Sequence, residues 1–294
     1  MRNFISDFNK LIKLRLTLTV VFSASICFLM GSKIQGDINW INWIILTVGG
    51  FLVTGAANGF NEIIEKDLDR LMRRTMDRPI PSGKMTTGQA LVLSLIMGIS
   101  GTMLLVRLNF PTGVLAVFSI FLYAFVYTPM KRKSPIAVFI GAFPGALPPL
   151  IGYFAAFNEP RISWIPVILF LIQFVWQFPH FWAIAWVLDE DYKRAGFRLL
   201  PTTFQDKTSA VFTFVSTIIL IPVSLMPTYL LNPSGQVFGG LIYTIVATGM
   251  GLYFALQAYK LLRLRDVPSA KRLMYASFFY LPVLQLTLLF DFIA

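Results

Sequence analysis

The stretch GAANGFNEIIEKDLDRLMRRTMDRPIPSG, residues 55–83, joins an apolar run to a dense set of charges. From residue 38 to residue 62 the chain is apolar for long enough to cross a bilayer, which takes about 20 such residues. Asn61, Glu65 and Asp69 are then spaced by four, which on an α-helix makes them a ladder on one face. Three oxygen-bearing side chains stacked this way repel one another unless a cation sits among them, and oxygens of this kind suit Mg²⁺. Asp67 falls off that face and joins the cluster only if the helix frays. Arg70, Arg73, Arg74 and Arg78 follow at once, and arginine offers planar, two-pronged contacts to phosphate oxygens. Carboxylates with arginines therefore suit a metal-bridged phosphate ester. A solvated loop with ordinary salt bridges would explain the charges. It would not explain Asn61 and Glu65 at the membrane end of a span, where polar groups are costly.

The rest of the chain has the same apolar character. Of its 294 residues 56% are hydrophobic and only 13% charged, with mean hydropathy +0.69, whereas soluble domains carry about 25% charged residues. The pattern predicts an all-α polytopic membrane protein forming a single domain over residues 1–294. Nine spans are expected at 16–33, 38–62, 88–107, 110–129, 135–157, 162–187, 209–231, 236–258 and 271–293. The first is too long for a signal-peptide core and lacks a clear cleavage site, so it reads as an uncleaved helix. Turns such as Leu108–Pro111 and Asn232–Gly235 separate some of the spans. Prolines 144, 148 and 149 are expected to break the fifth span.

The net charge of +11 would suggest nucleic acid in a soluble protein. Here the cations collect in alternate loops, and no nucleic-acid partner is expected. With the N-terminus cytoplasmic, only Lys33, Arg107 and Arg161 of the 25 lysines and arginines fall on the far side. That asymmetry follows the positive-inside rule and puts the C-terminus outside. Spans two and six both end in carboxylates followed by bases, and spans four and eight in bare basic clusters. This suggests two four-helix halves and an extra helix. The single cysteine, Cys27, lies in an apolar run and reads as a packing residue.

A second acidic segment, Asp189-Glu190-Asp191-Tyr192-Lys193, lies on the same side as the first. Two carboxylate groups facing one cavity would allow two metals on a diphosphate, although an ordinary charged loop explains this segment as well. Lys131 and Arg132, after Tyr127, would reach the same phosphate or merely anchor span four. His180, the only histidine, stands near Gln177 inside span six. It either contacts a large substrate, moves a proton or is satisfied by a neighbour.

The sequence NEIIEKDLDRLMRRTMDRP resembles the first aspartate-rich motif of the UbiA prenyltransferase superfamily. YTPMKRKSP, GAFPGALPPLIGY and WQFPHFWAIAWVLDEDYKRAGFRLLP resemble the branch of that family that farnesylates haem, and together they cover nearly the whole chain. Glu65 stands where bacterial members usually have Asp, and Asp77 stands before Arg78 where Asn is common. Lys193 interrupts a clean Asp-x-x-x-Asp second motif, which leaves Asp191 a better ligand than Asp189.

The resemblance implies a UbiA-type bundle around a central cavity in the bacterial cytoplasmic membrane, with its site at the cytoplasmic face. It implies transfer of farnesyl from farnesyl diphosphate to a vinyl group of haem B, which gives the hydroxyethylfarnesyl side chain of haem O. Mg²⁺ would sit on Asn61, Glu65, Asp69 and Asp191. Arg74, Arg78, Tyr127, Lys131, Arg132, Gln177, Tyr192 and Lys193 would contact the substrates, and His180 would touch haem or move a proton. The product would pass to a downstream haem-modifying enzyme or a terminal oxidase assembly. Three other readings stay open. They are prenylation of an aromatic, quinone-precursor or chlorin acceptor, ion-coupled transport through Asn61, Glu65 and His180, and a non-catalytic assembly role.

Overall fold

The computed structural model describes residues 4–160, 163–231 and 237–292. Arg161, the turn at 232–235, and the expected span limits at 162, 236 and 293 lie outside the described residues. Among the described residues nine helical segments are long and apolar enough to cross a membrane.

An amphipathic helix α1 (Phe4–Leu11) leads into α2 (Leu14–Gln35), α3 (Trp40–Asp69) and α4 (Thr87–Leu108). The fourth span, Phe110–Met130, is built from α5 (Phe110–Ile120), a π-helical turn (Phe121–Tyr127) and α6 (Thr128–Met130). Then come α7 (Ile136–Ala155), α8 (Trp164–Val187) and the short α9 (Asp189–Ala195). The last spans are α10 (Lys207–Leu225), extended by a 3₁₀ turn to Thr228, α11 (Leu241–Leu264) and α12 (Val267–Phe290).

Capping explains where the expected limits shift. Span seven begins at Lys207 and span nine at Val267. The Asp206 and Asp266 carboxylates accept the backbone N–H groups of Ser209 and Ser269, so the caps rather than the onset of hydropathy start these helices. Helix α3 runs 30 residues and ends at Asp69, beyond the expected limit at 62, so the acidic ladder continues the membrane helix itself. In sequence order α2, α3, α4 and α5 pack on one another, as do α7, α8, α10 and α11. Helix α12 closes on α8, α11 and α2. Helices α2 and α7 also pack closely on one another and join the two sets.

The prolines do not break span five. Helix α7 is continuous through Pro144, Pro148 and Pro149. A proline frees the carbonyl four residues earlier, and Pro149 frees that of Gly145. Gln173 of α8 donates to it at 2.6 Å, so a neighbouring helix supplies the lost hydrogen bond, as bilayer segments require. Gln173 also accepts from Ser23 of α2 at 2.7 Å and from Gln285 of α12 at 3.2 Å. This buried polar knot ties four helices together, α2, α7, α8 and α12.

Helices α2 and α7 meet at Gly152, where a Cβ would overlap the Ala24 backbone carbonyl. Gly152→Ala is expected to destabilise the bundle by about 1–3 kcal/mol, the usual cost of overpacking. A lowered unfolding temperature in detergent would show it. An unchanged temperature would mean that α2 can slide away freely.

Candidate active site

The ladder forms as its spacing dictates. Asn61, Glu65 and Asp69 lie buried on one face of α3 at its cation-rich end. Each rung meets a different cation. Lys13 Nζ donates to Asn61 Oδ1 at 2.6 Å. Lys131 Nζ donates to Glu65 Oε1 at 2.8 Å and Oε2 at 3.0 Å. Arg78 Nη1 donates to Asp69 Oδ2 at 2.6 Å. The Asn61 amide is oriented by its own nitrogen, which donates to Glu65 Oε2 and Thr128 Oγ1, each at 2.9 Å.

Local structure explains each placement. Lys13 sits in the left-handed region, φ 50° and ψ 57°, at the corner between α1 and α2. That corner turns its side chain inward among buried residues. Thr128 follows the π-helical turn and donates to Tyr123 O at 2.8 Å; such turns mark functional sites more often than chance allows. Lys131 begins the next loop, with its ammonium 4.8 Å from the Tyr127 ring centroid. Arg78 is carried by a loop fastened at several points. Thr75 Oγ1 donates to Asp69 O at 2.9 Å, and Ile80 N–H donates to buried Glu62 Oε1 at 3.0 Å.

The electrostatics are lopsided. Three cations, Lys13, Arg78 and Lys131, meet two carboxylates, Glu65 and Asp69. Burial, with the Arg78 and Lys131 charges, pushes the Lys13 ammonium well below its usual pKa. Burial also pulls down on Lys131, but Glu65 outweighs it and the pKa lies above the usual value. Beside the ladder opens a cavity of about 690 Å³ whose lining includes Lys10, Lys13, Arg15, Arg74 and Arg78, with no carboxylate in its wall among the described residues. Such a surface attracts anions.

The other expected residues divide. Asp67 is exposed and pairs with Arg70 at 3.4 Å, off the ladder. Asp191 accepts the backbone N–H groups of Arg73 at 3.3 Å and Arg74 at 3.4 Å, so it clasps the arginine loop to α9. Asp189 pairs with Lys193 at 2.6 Å. Tyr192 packs on Phe197, with ring centroids 5.7 Å apart. Arg132 is exposed beside Gly196. Gln177 donates to Ala142 O at 3.0 Å, and His180 contacts Ser277 of α12 at 2.7 Å. Gln177 and His180 thus make helix–helix contacts within the bundle. Sequence reasoning did not single out Lys13, Glu62 or Thr128. Lys13 was hidden among cations that the positive-inside rule explains equally well.

The profile of the UbiA prenyltransferase family matches residues 20–282. The chain belongs to the UbiA prenyltransferase family. A protoheme IX farnesyltransferase of Cytophaga hutchinsonii is 44% identical over 284 residues, 96% of each chain. One of Flavobacterium johnsoniae is 40% identical, covering 97% of this chain and 94% of its own. A solved digeranylgeranylglyceryl phosphate synthase superposes with TM-score 0.79 at 22% identity, covering 98% of both chains. A UbiA homolog from Archaeoglobus fulgidus bound to GPP and Mg²⁺ superposes with TM-score 0.67 at 12% identity, covering 96% of this chain and 99% of its own. The two solved structures establish the UbiA fold, and membership makes the chain a multi-pass membrane prenyltransferase. The UbiA match begins after α1, so Lys13 lies outside it.

Proposed function

We propose that this UbiA enzyme transfers a farnesyl group from farnesyl diphosphate to a vinyl group of haem B, and that water then adds to give the hydroxyethylfarnesyl side chain of haem O. The observation that carries the reading is the ladder with one cation on each rung. The full-length likeness to protoheme IX farnesyltransferases supports the choice of acceptor.

The ladder fits a hard cation. Asp69 Oδ1 is enclosed and has no hydrogen-bond partner, an expensive state for a carboxylate oxygen unless something else meets it. Asn61, Glu65 and Asp69 would hold Mg²⁺, and Asp191, with Asp189, would serve a second ion once released from their present partners. The ion would stabilise negative charge on the leaving diphosphate.

The chain's own residues do the rest. Lys13, Arg78 and Lys131 turn from the ladder to the diphosphate oxygens and stabilise the charge that develops on them. Arg74, Arg132 and Lys193 neutralise the remainder from the rim. Tyr127 keeps an aromatic face beside Lys131. The apolar interior beyond it excludes water from the farnesyl cation until the acceptor attacks. In the bilayer the N-terminus and this site face the bacterial cytoplasm and the C-terminus faces out. The chain acts as a single domain, and its product goes to a haem-modifying enzyme or an oxidase assembly.

Purified protein given haem B, farnesyl diphosphate and Mg²⁺ should yield a product with the mass of haem O. Chelation should abolish the product and added Mg²⁺ restore it. A folded preparation that instead prenylates an aromatic or quinone precursor, or that makes no product, overturns the reading.

A further inference from the structure

Lys13 meets the ladder because the chain turns a corner there, and a buried amide fastens that corner. At φ 50° and ψ 57° Lys13 holds a left-handed conformation that is unfavourable for any residue with a Cβ. The turn also takes the Ile12 carbonyl out of the helical series. Among the described residues no backbone N–H donates to Ile12 O. Ile12 is fully buried, so its carbonyl needs a donor from elsewhere.

Two side chains supply one. Thr17 Oγ1, in the first turn of α2, donates to Ile12 O at 2.6 Å. Asn58 Nδ2, on α3, donates to the same oxygen at 3.0 Å and to Thr17 Oγ1 at 3.2 Å. A carbonyl can only accept, so the nitrogen end of the Asn58 amide is the one that faces the corner. The oxygen end faces the π-helical turn, where the Tyr123 hydroxyl donates to it at 3.4 Å. Thr17 would satisfy the carbonyl from within α2. Asn58 instead ties the corner to the helix that carries the ladder. It is buried, about one turn before Asn61 on α3. The Lys13 ammonium lies 5.9 Å from the Tyr123 ring centroid and donates to Asn61 Oδ1 at 2.6 Å. A tie between α2 and α3 alone would not need a left-handed lysine beside it.

We infer that Asn58 is a positioning residue for the prenyl diphosphate: it holds the corner before span one so that the Lys13 ammonium stands at the first rung of the ladder. Tyr123 sets the orientation of the Asn58 amide. The inference rests on Lys13 turning to the diphosphate and not on haem being the acceptor.

The test is a double-mutant cycle on the full chain in detergent, with Asn58→Ala, Lys13→Met and the pair. Each is titrated separately with farnesyl diphosphate and with Mg²⁺, with haem B as acceptor. Asn58→Ala should lower kcat/KM for farnesyl diphosphate about tenfold, mainly through KM, as loss of one buried hydrogen bond allows. It should also raise the apparent affinity for Mg²⁺, as is expected when Lys13 leaves Asn61. Added to Lys13→Met, it should change neither quantity further. A residue that only holds α2 to α3 would instead multiply the loss caused by Lys13→Met, and that result overturns the inference. So does a wild-type kcat/KM for farnesyl diphosphate in Asn58→Ala. Asn58→Leu, which keeps the volume without the donor, carries the cycle if Asn58→Ala fails to fold. Lys13→Met with wild-type affinities also overturns the inference and leaves the formation of haem O untouched. If wild-type protein prenylates another acceptor in place of haem B, the functional reading falls, and the same cycle run on that acceptor still decides the role of Asn58.

Discussion

Glu65→Gln is expected to lower the rate of farnesyl transfer by about 10²–10³-fold, the usual effect of removing one preorganised electrostatic group, while the protein remains folded in detergent. The substitution keeps the shape and removes the charge. Both Glu65 oxygens are held by Lys131 and one also accepts from Asn61, so no other carboxylate can take over its place. Breaking a buried pair from one side leaves the other charge stranded, at a cost of about 3–5 kcal/mol. Glu65→Gln should therefore also unfold at a lower temperature. Adding Lys131→Met to it should restore stability without restoring transfer, because the stranded charge is gone but the ladder is still broken. Single-turnover product formation, with thermal unfolding alongside, separates the two effects. Activity within a few-fold of wild type would mean that the ladder is structural and that the metal, if any, binds elsewhere.

The sequence states the ladder plainly because a helix has one period, and i, i+4 spacing leaves a single face for Asn61, Glu65 and Asp69. It states the spans equally plainly, since bilayer thickness sets their length. Neither rule says where a helix stops when charged residues continue it. That is why α3 runs on to Asp69 and why Asp206 and Asp266, rather than hydropathy, start α10 and α12. The prolines of α7 mislead for a different reason. Whether a freed carbonyl is ruinous depends on a partner elsewhere in the fold, and the partner is Gln173, more than twenty residues away. Lys13 was illegible on similar grounds, for its approach to Asn61 spans 48 positions and depends on a left-handed corner. Asp191 reads as a ligand from its chemistry, and its contact with the N–H groups of Arg73 and Arg74 depends on the fold bringing α9 to the arginine loop.

These contacts give the site a resting state in which each cation of the ladder already has a partner. Arg78 and Asp69 hold each other, Glu62 holds the chain just beyond Arg78 through Ile80, and Asp191 pins the arginines to α9. A substrate that brings its own negative charge has only to exchange partners, not to order a loop. That reduces the conformational cost of binding.

Lys13→Met tests this exchange most directly, because its effects on metal and substrate should have opposite signs. Lys13 now occupies Asn61 Oδ1 at 2.6 Å, an oxygen proposed for the metal. Removing the ammonium frees that oxygen and takes a positive charge away from an incoming cation, so Mg²⁺ should bind more tightly. The same ammonium lines the basic cavity with Arg74 and Arg78 and is proposed to turn to the diphosphate, so farnesyl diphosphate should bind less well. A hydrogen bond to a charged group contributes about 1.5–3 kcal/mol, which is about a 10–100-fold fall in kcat/KM for the diphosphate. Methionine keeps the length and apolar stem of the lysine, so the corner between α1 and α2 should hold. Activity titrated against Mg²⁺ at fixed farnesyl diphosphate, and the reverse, reads the two affinities separately. A fall in both together would make Lys13 a plug for the helix corner and not a substrate contact.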